Sequence, residues 1–176
     1  MVAGPSGAGK DTLIKEVMKD LEIQVSVSAT TRRPRPGEVD GRDYRFVSDD
    51  EFDRLVAGEE FLEWKEVYGK RYGTLASEVE RQTASGRDVI LEIDVKGALE
   101  VKSRLKSAKL IFIMPPSMEE LEARLRGREA DGEGEIKTRT DIAPWEMEVG
   151  LKEFDVIIVN DDRVKAAGEL AKALGR

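Results

Sequence analysis

The run Gly4-Pro5-Ser6-Gly7-Ala8-Gly9-Lys10-Asp11-Thr12 has the residue types and the spacing to hold a chain of phosphates. It follows G-x-x-x-x-G-K-[ST] at Gly4, Gly9 and Lys10, with Asp11 in the final slot and Thr12 one place late. Glycines let successive backbone N–H groups turn inward on an anion. A helix starting near Lys10 adds the positive end of its dipole, and the Lys10 ammonium reaches the outer phosphates. A glycine-rich turn that merely caps a helix is the competing reading. It is disfavoured because the glycines, the lysine and the apolar Leu13-Ile14 all fall at the required spacing.

Asp11 is the anomaly in this loop. Ser or Thr at that place ligates a magnesium ion through its hydroxyl. A carboxylate is also a hard oxygen ligand and can serve Mg²⁺, but it brings negative charge close to the phosphates. Thr12 points elsewhere on the helix and is not a simple replacement.

Two further groups of residues carry charge where phosphate chemistry needs it. Arg124, Arg128 and Arg139 flank the acidic stretch from Glu129 to Glu135. Arginine presents a permanently charged fork that matches phosphate oxygens, as in a lid that closes on a transferred group. The alternative is a solvated helix face, since Glu120 and Arg124 stand at i, i+4. Thr30-Thr31-Arg32-Arg33-Pro34-Arg35-Pro36-Gly37 sets three more arginines beside rigid prolines, either as an anion site or as an ordinary soluble loop. Glu92 and Asp94 end an apolar run, placed to orient Mg²⁺, to accept hydrogen bonds from a base, or only to cap a strand. Tyr44, Tyr72 and Trp64 read equally as packing or as stacking surfaces.

These groups need a frame. Val2-Ala3 is the stub of a strand, and a helix is expected from Lys10 to Leu21. Gln24 to Val27 reads as a strand. From Ser28 to Gly73, prolines and glycines alternate with short β-like pieces at Asp43–Phe46 and Phe61–Trp64, interrupted by one helix behind the capping box Ser48-Asp49-Asp50-Glu51. Regular alternation then resumes, with helices at Ala76–Ala84, Ala98–Leu105 and Asp162–Leu174. Strands are expected at Asp88–Asp94, Leu110–Met114 and Val156–Asn160, and Ser117-Met118-Glu119-Glu120 is a second capping box. Strands alternating with helices imply parallel pairing with helices on both faces, and ligands at the carboxyl ends of the strands. The phosphate loop, Asp94 and Asn160 all lie at such ends. The chain begins only three residues before Gly4, so the first strand is expected to be short or to start upstream.

Composition narrows the chemistry. The 176 residues suffice for one domain, or one core with inserted lobes. The net charge is −7, so no global basic field favours nucleic acid, and an anion site must be a local cluster. Cysteine and histidine are absent, which excludes disulfides, thiolate nucleophiles, imidazole bases and the usual zinc ligands. No apolar run approaches the ~18–20 residues of a membrane span, and no signal peptide is evident, so a cytoplasmic location is expected.

Taken in order, the motifs resemble the guanylate kinase family over nearly the whole chain. They are the phosphate loop, Ser26-Val27-Ser28-Ala29-Thr30-Thr31-Arg32, Pro34-Arg35-Pro36-Gly37-Glu38, Gly41-Arg42-Asp43-Tyr44 and Phe61-Leu62-Glu63-Trp64. Tyr72-Gly73-Thr74, Ile93-Asp94-Val95, Pro115-Pro116-Ser117, Arg124-Leu125, Gly127-Arg128 and Val159-Asn160-Asp161-Asp162 follow. The resemblance implies an α/β fold of the P-loop NTPase class. Its parallel five-stranded core (1–27, 75–123 and 154–176) carries a mostly β GMP-binding lobe (28–74) and a helical lid (124–153). It implies ATP-dependent phosphorylation of GMP, and of dGMP, with Mg²⁺, by a monomer or homodimer.

Residue by residue, Arg32, Arg35 and Tyr44 match the family's ligands for the GMP phosphate, with Tyr72 nearby. Ser28, Glu63, Thr74 and Asp94 match its guanine contacts. Lys10, Arg124, Arg128 and Arg139 match the residues holding the ATP phosphates and the transferred group, and Asn160 matches a residue near the adenine. Asp11 and Glu92 fall in the magnesium neighbourhood.

This chain departs from the family pattern at four places. Asp11 stands for a small Ser, Thr or Gly, Glu92 for Asp, and Lys96 for Gln. In the lid, Pro144 costs about 3 kcal/mol in a helix interior, so a kink or restart is expected there. The Asp after Lys10 is similar to ribose 1,5-bisphosphate kinase, although the full guanine-contact set is present. A phosphopeptide-binding module of the same fold is the other alternative, although it has no need of Lys10 and the lid arginines.

Overall fold

The computed structural model describes residues 1–67, 69–127 and 132–175. Along the chain run β1 (Val2–Ala3), α1 (Lys10–Val17), β2 (Gln24–Val25), β3 (Ala29–Thr30), β4 (Arg45–Phe46) and α2 (Asp49–Ala57). Then come β5 (Phe61–Val67), β6 (Lys70–Leu75), α3 (Ala76–Thr83), β7 (Val89–Ile90) and α4 (Val95–Arg104). The last are β8 (Ile111–Met114), α5 (Met118–Arg126), α6 (Glu133–Glu153), β9 (Val156–Val159) and α7 (Arg163–Ala173). The chain divides into two compact units: Met1–Leu21 with Glu92–Ala98 and Ser107–Arg176, and Glu22–Leu91 with Leu99–Lys106.

The first unit is built on a parallel sheet in the order β1-β8-β9, with Val2 opposite Ile111 and Ile111 opposite Val156. All four residues of β8 are buried, as expected of a strand covered on both faces. Val2 also bridges to Glu92, which extends the pairing of β1 beyond its two residues. Helices α1 and α7 pack on one another, and α6 packs on β8. Ser117 caps α5 by accepting from the Glu120 N–H at 3.1 Å, and Asp162 caps α7 by accepting from Lys165 N–H.

The helix over Glu133–Glu153 shows no restart at Pro144, which differs from the sequence expectation. The missing Pro144 N–H leaves one carbonyl a turn earlier without its helical donor. Buried Ile136, Ala143, Glu146 and Gly150 hold the helix on both sides of that gap, while Pro144 itself is exposed. Tertiary packing therefore outweighs the local penalty.

The second unit holds a parallel pair, β2-β7, and a mixed four-stranded sheet in the order β4-β3-β6-β5. In that sheet β3 and β4 run parallel, while the β3/β6 and β5/β6 pairs are antiparallel. Ala29, Phe52, Leu55, Phe61 and Leu75 form its core, with the Phe52 and Phe61 rings stacked at 4.6 Å. The Ser48 hydroxyl accepts from the Glu51 N–H at 3.1 Å and starts α2, as the capping box required.

Gly150 shows how tightly α6 sits on the first sheet. A Cβ built there lies 2.5 Å from the Phe112 ring, well inside contact distance. Helix propensity alone gives Gly150→Ala a gain of about 1 kcal/mol. Overpacking costs about 1–3 kcal/mol and wins. Gly150→Ala is therefore expected to lower the melting temperature; a rise would show that α6 can move off β8 at little cost.

Candidate functional site

In the first unit the phosphate loop connects β1 to α1. Gly4 has φ +147°, and a Cβ there would lie 2.2 Å from the Ile113 carbonyl oxygen, so the loop starts against β8 too closely for any side chain. The N-cap of α1 is Gly9, at φ +93°, and no side chain caps this helix. The first-turn amides of a helix lack intrahelical acceptors, so an uncapped glycine N-terminus leaves donors for an anion. The Lys10 ammonium donates to the carbonyls of Gly4, at 2.7 Å, and Pro5, at 3.0 Å, which holds the charge over the loop.

Of the three arginines expected in a lid, Arg139 reaches this loop and Arg124 reaches Asn160. Arg139, on α6, donates to the Ser6 hydroxyl at 3.1 Å. Arg124, on α5, makes the i, i+4 pair with Glu120 at 2.9 Å and also donates to the Asn160 carbonyl at 3.1 Å. The i, i+4 pair expected of a solvated helix face is therefore present, and the same guanidinium also reaches the end of β9. Asn160, buried at the end of β9, donates from Nδ2 to the Ala8 carbonyl at 2.8 Å. Arg128 lies outside the described residues. Pro5, Gly7 and Ala8 are buried in the loop, and Thr12 is exposed on α1.

The carboxylates expected near a metal sit apart from any cluster. Asp11 is exposed and accepts from Lys15 at 2.9 Å along the helix face. Glu92 is half-buried beside β1. Among the described residues, no group of three or more acidic side chains is placed to hold a metal ion. Magnesium takes only one or two carboxylates when a nucleotide's phosphates and waters supply its other ligands, so this sparse donor set fits it. Asp94 caps α4 in the same unit, with Oδ1 accepting from the Gly97 N–H at 2.8 Å.

The second unit gathers two polar sites on its mixed sheet. Arg32 is held in a fork by Glu38, with Nη2 to Oε1 at 2.8 Å and Nη1 to Oε2 at 3.0 Å. The guanidinium carbon lies 5.3 Å from the Tyr44 ring centre and 5.8 Å from that of Phe46, within cation–π range. Tyr44 and Tyr72 meet edge to face at 6.1 Å. Arg32, Tyr44 and Tyr72 are thus brought together. Arg35 joins through its backbone N–H, which donates to Glu38 at 2.6 Å, while its side chain is exposed. The hydrogen bond from Arg32 and then that from the Arg35 backbone hold the Glu38 carboxyl below its ordinary pKa, and the same pairing raises that of Arg32.

Glu38 was present in the sequence motif without a role. Its signal was the carboxylate three residues beyond Arg35, inside an otherwise basic loop.

The other polar site is buried. Glu63 on β5 stands opposite Thr74 on β6, and the Thr74 hydroxyl donates to the Glu63 carboxylate at 2.7 Å. Both side chains are buried, and a register irregularity between Phe61 and Glu63 interrupts the alternation of the strand. A carboxylate accepts hydrogen bonds through both of its oxygens, so this pair has the chemistry that N–H donors of a ligand can meet. Ser28 is half-buried just before β3, with its carbonyl accepting from Arg45 N–H at 2.9 Å.

Comparison with known proteins identifies the family. The family model described as guanylate kinase matches residues 1–176. The guanylate kinase of Dechloromonas aromatica is 48% identical over 97% of this chain and 84% of its own length. That of Thermobifida fusca is 47% identical over 97% of this chain and 87% of its own. The crystal structure of guanylate kinase from Anaplasma phagocytophilum superposes with a TM-score of 0.77 at 32% identity, covering 99% of this chain and 82% of that one. With a match along its full length and nearly half its residues shared with such relatives, the chain belongs to the guanylate kinase family.

Proposed function

We propose that this protein transfers the γ-phosphate of ATP to GMP, giving ADP and GDP, and that dGMP is a weaker acceptor. The observation that carries the reading is the buried Glu63–Thr74 pair, which suits guanine. Guanine presents N1–H and N2–H₂ donors to a carboxylate, and adenine lacks that pattern. The relatives named guanylate kinase support the same acceptor.

The donor residues lie in the first unit and most acceptor residues in the second, and we assign their roles accordingly. Gly4 to Thr12 cradle the ATP phosphates, with Lys10 on the outer ones. Arg124, Arg128 and Arg139 bear on the transferred group. Arg32, Arg35, Tyr44 and Tyr72 hold the GMP phosphate, and Ser28, Glu63, Thr74 and Asp94 hold the guanine. The partition into a core with five parallel strands, a lobe at 28–74 and a lid at 124–153 belongs to the same proposal. In the reaction a GMP phosphate oxygen attacks the γ-phosphorus as the bond to the β–γ bridging oxygen breaks. The nucleophile is already anionic, so no general base is needed; positioning and charge neutralisation do the work. A bound Mg²⁺ supplies further neutralisation of the phosphates, with Asp11 and Glu92 the carboxylates that would hold it.

Assays with GMP, AMP, ribose 1,5-bisphosphate and no acceptor test the assignment. GMP-dependent ADP release is expected, and equal rates with GMP and AMP would overturn it. Glu63→Gln should lower kcat/KM for GMP by about 1–3 kcal/mol of transition-state stabilisation, because guanine donors lose their charged acceptor.

Arg139 reaches the loop at Ser6, and charge spreads over the transferred group only at the transition state. Arg139→Ala should therefore lower kcat by roughly 10³-fold, with a smaller change in nucleotide affinity. Equal and modest losses in both would reduce Arg139 to a surface residue.

Asp11→Asn separates a metal role from the Lys15 pair. A carboxylate near the triphosphate's cation should make the magnesium titration midpoint rise in the variant, with ATP weakened more than GMP. Coincident titrations would leave Asp11 with its Lys15 partner alone.

A further inference from the structure

We infer that Asn160 is a brace for the phosphate loop, so that its contribution to donor binding passes through the triphosphate and not through the adenine. This rests on the donor-site reading above and goes beyond the place near the adenine that the family resemblance implies. The side-chain amide has one donor end and one acceptor end. One N–H of the donor end is committed: Nδ2 reaches the Ala8 carbonyl at 2.8 Å in a buried bond between residues 152 apart in sequence, which fixes the orientation of the amide. A carbonyl accepts only from a donor, so chemistry fixes which end of the amide faces the loop.

The Asn160 backbone is committed as well. Its N–H donates to the Met114 carbonyl at 2.8 Å, at the end of β8, and its own carbonyl accepts from Arg124 at 3.1 Å. One residue therefore ties the loop, the sheet and an arginine on α5. Its side chain fills the space beside Gly9, where a Cβ would lie 2.3 Å from Nδ2. The glycine at this place thus serves the close approach of the brace as well as its own φ of +93°.

The consequence for ligand binding follows from peptide planarity. The peptide between Ala8 and Gly9 is trans, so its C=O and N–H point to opposite sides. Holding the Ala8 oxygen toward Asn160 turns the Gly9 N–H away from Asn160. The brace thereby sets the direction of one of the loop's amide donors before any anion arrives. Without it, the peptide is free to rotate, and ordering it is charged against binding.

The test compares ATP with inorganic tripolyphosphate, which has the phosphates and no base. Calorimetric titrations of the whole protein, with magnesium present, measure both ligands and GMP on wild type and Asn160→Ser. The brace predicts that ATP and tripolyphosphate weaken by the same factor, about 5- to 30-fold for one lost buried hydrogen bond, while GMP affinity is unchanged. It also predicts faster amide hydrogen exchange across residues 4–12 in the nucleotide-free variant. Weakened ATP with unaltered tripolyphosphate would establish a base contact and overturn the brace, as would unaltered affinity for both or unaltered exchange. A wild type that binds neither ligand overturns the donor-site reading, a separate failure. Should Asn160→Ser not fold, the wild-type Asn160 side-chain amide resonance carries the test by NMR. A brace responds alike to ATP and tripolyphosphate, whereas a base contact responds to ATP alone.

Discussion

A protein with a net charge of −7 has to hold two anionic nucleotides, and local geometry must overcome that global field. Coulomb energies at contact range exceed those from dispersed surface charge screened over a Debye length of about 8 Å. The site therefore depends on donors aimed in advance. The uncapped N-terminus of α1 supplies backbone dipoles that carry no formal charge and bring no side-chain entropy. The close pass of Gly4 against the Ile113 carbonyl shows how strictly the sheet dictates where those dipoles stand.

The arginines follow the same logic. Three of the described ones assigned to phosphate, Arg32, Arg124 and Arg139, are tethered through their side chains, whereas Arg35 is fixed only through its backbone. Arg32 is clamped by Glu38 and flanked by Tyr44, Arg124 is steadied by Glu120 and the Asn160 carbonyl, and Arg139 reaches Ser6. A free arginine side chain surrenders up to about 2 kcal/mol of rotamer entropy when it is immobilised. Pairing it beforehand charges that entropy to folding instead of to binding. The acidic residues that make the chain anionic are, at Glu38 and Glu120, the means by which its cations are placed.

Much of this was legible in the sequence wherever the determinant is local. The phosphate loop, the capping boxes at Ser48 and Ser117, and the buried strand Ile111–Met114 depend on residues within a few positions of one another. Elements set by tertiary pairing were less so. The apolar run Asp88–Asp94 reads as a long strand, yet β7 has only two ladder residues, because where pairing stops depends on the neighbouring strand. The meeting of Glu63 with Thr74 depends on the register of β5 against β6, which includes an irregularity that alternation does not predict. Pro144 was read from local cost, whereas burial on both sides of it decides the helix.

Asn160 marks the boundary between these two kinds of information. Its place at the end of a strand was readable, and so was its membership of a motif near the donor nucleotide. What the side chain touches was not, because its partner lies at the opposite end of the chain. Residue type at a strand end narrows a role to the ligand's vicinity and says nothing of whether the group faces ligand or scaffold. That choice is made by the accounting of buried hydrogen bonds. The buried Ala8 carbonyl needs a donor, Asn160 supplies one at 2.8 Å, and that bond turns the amide toward the scaffold.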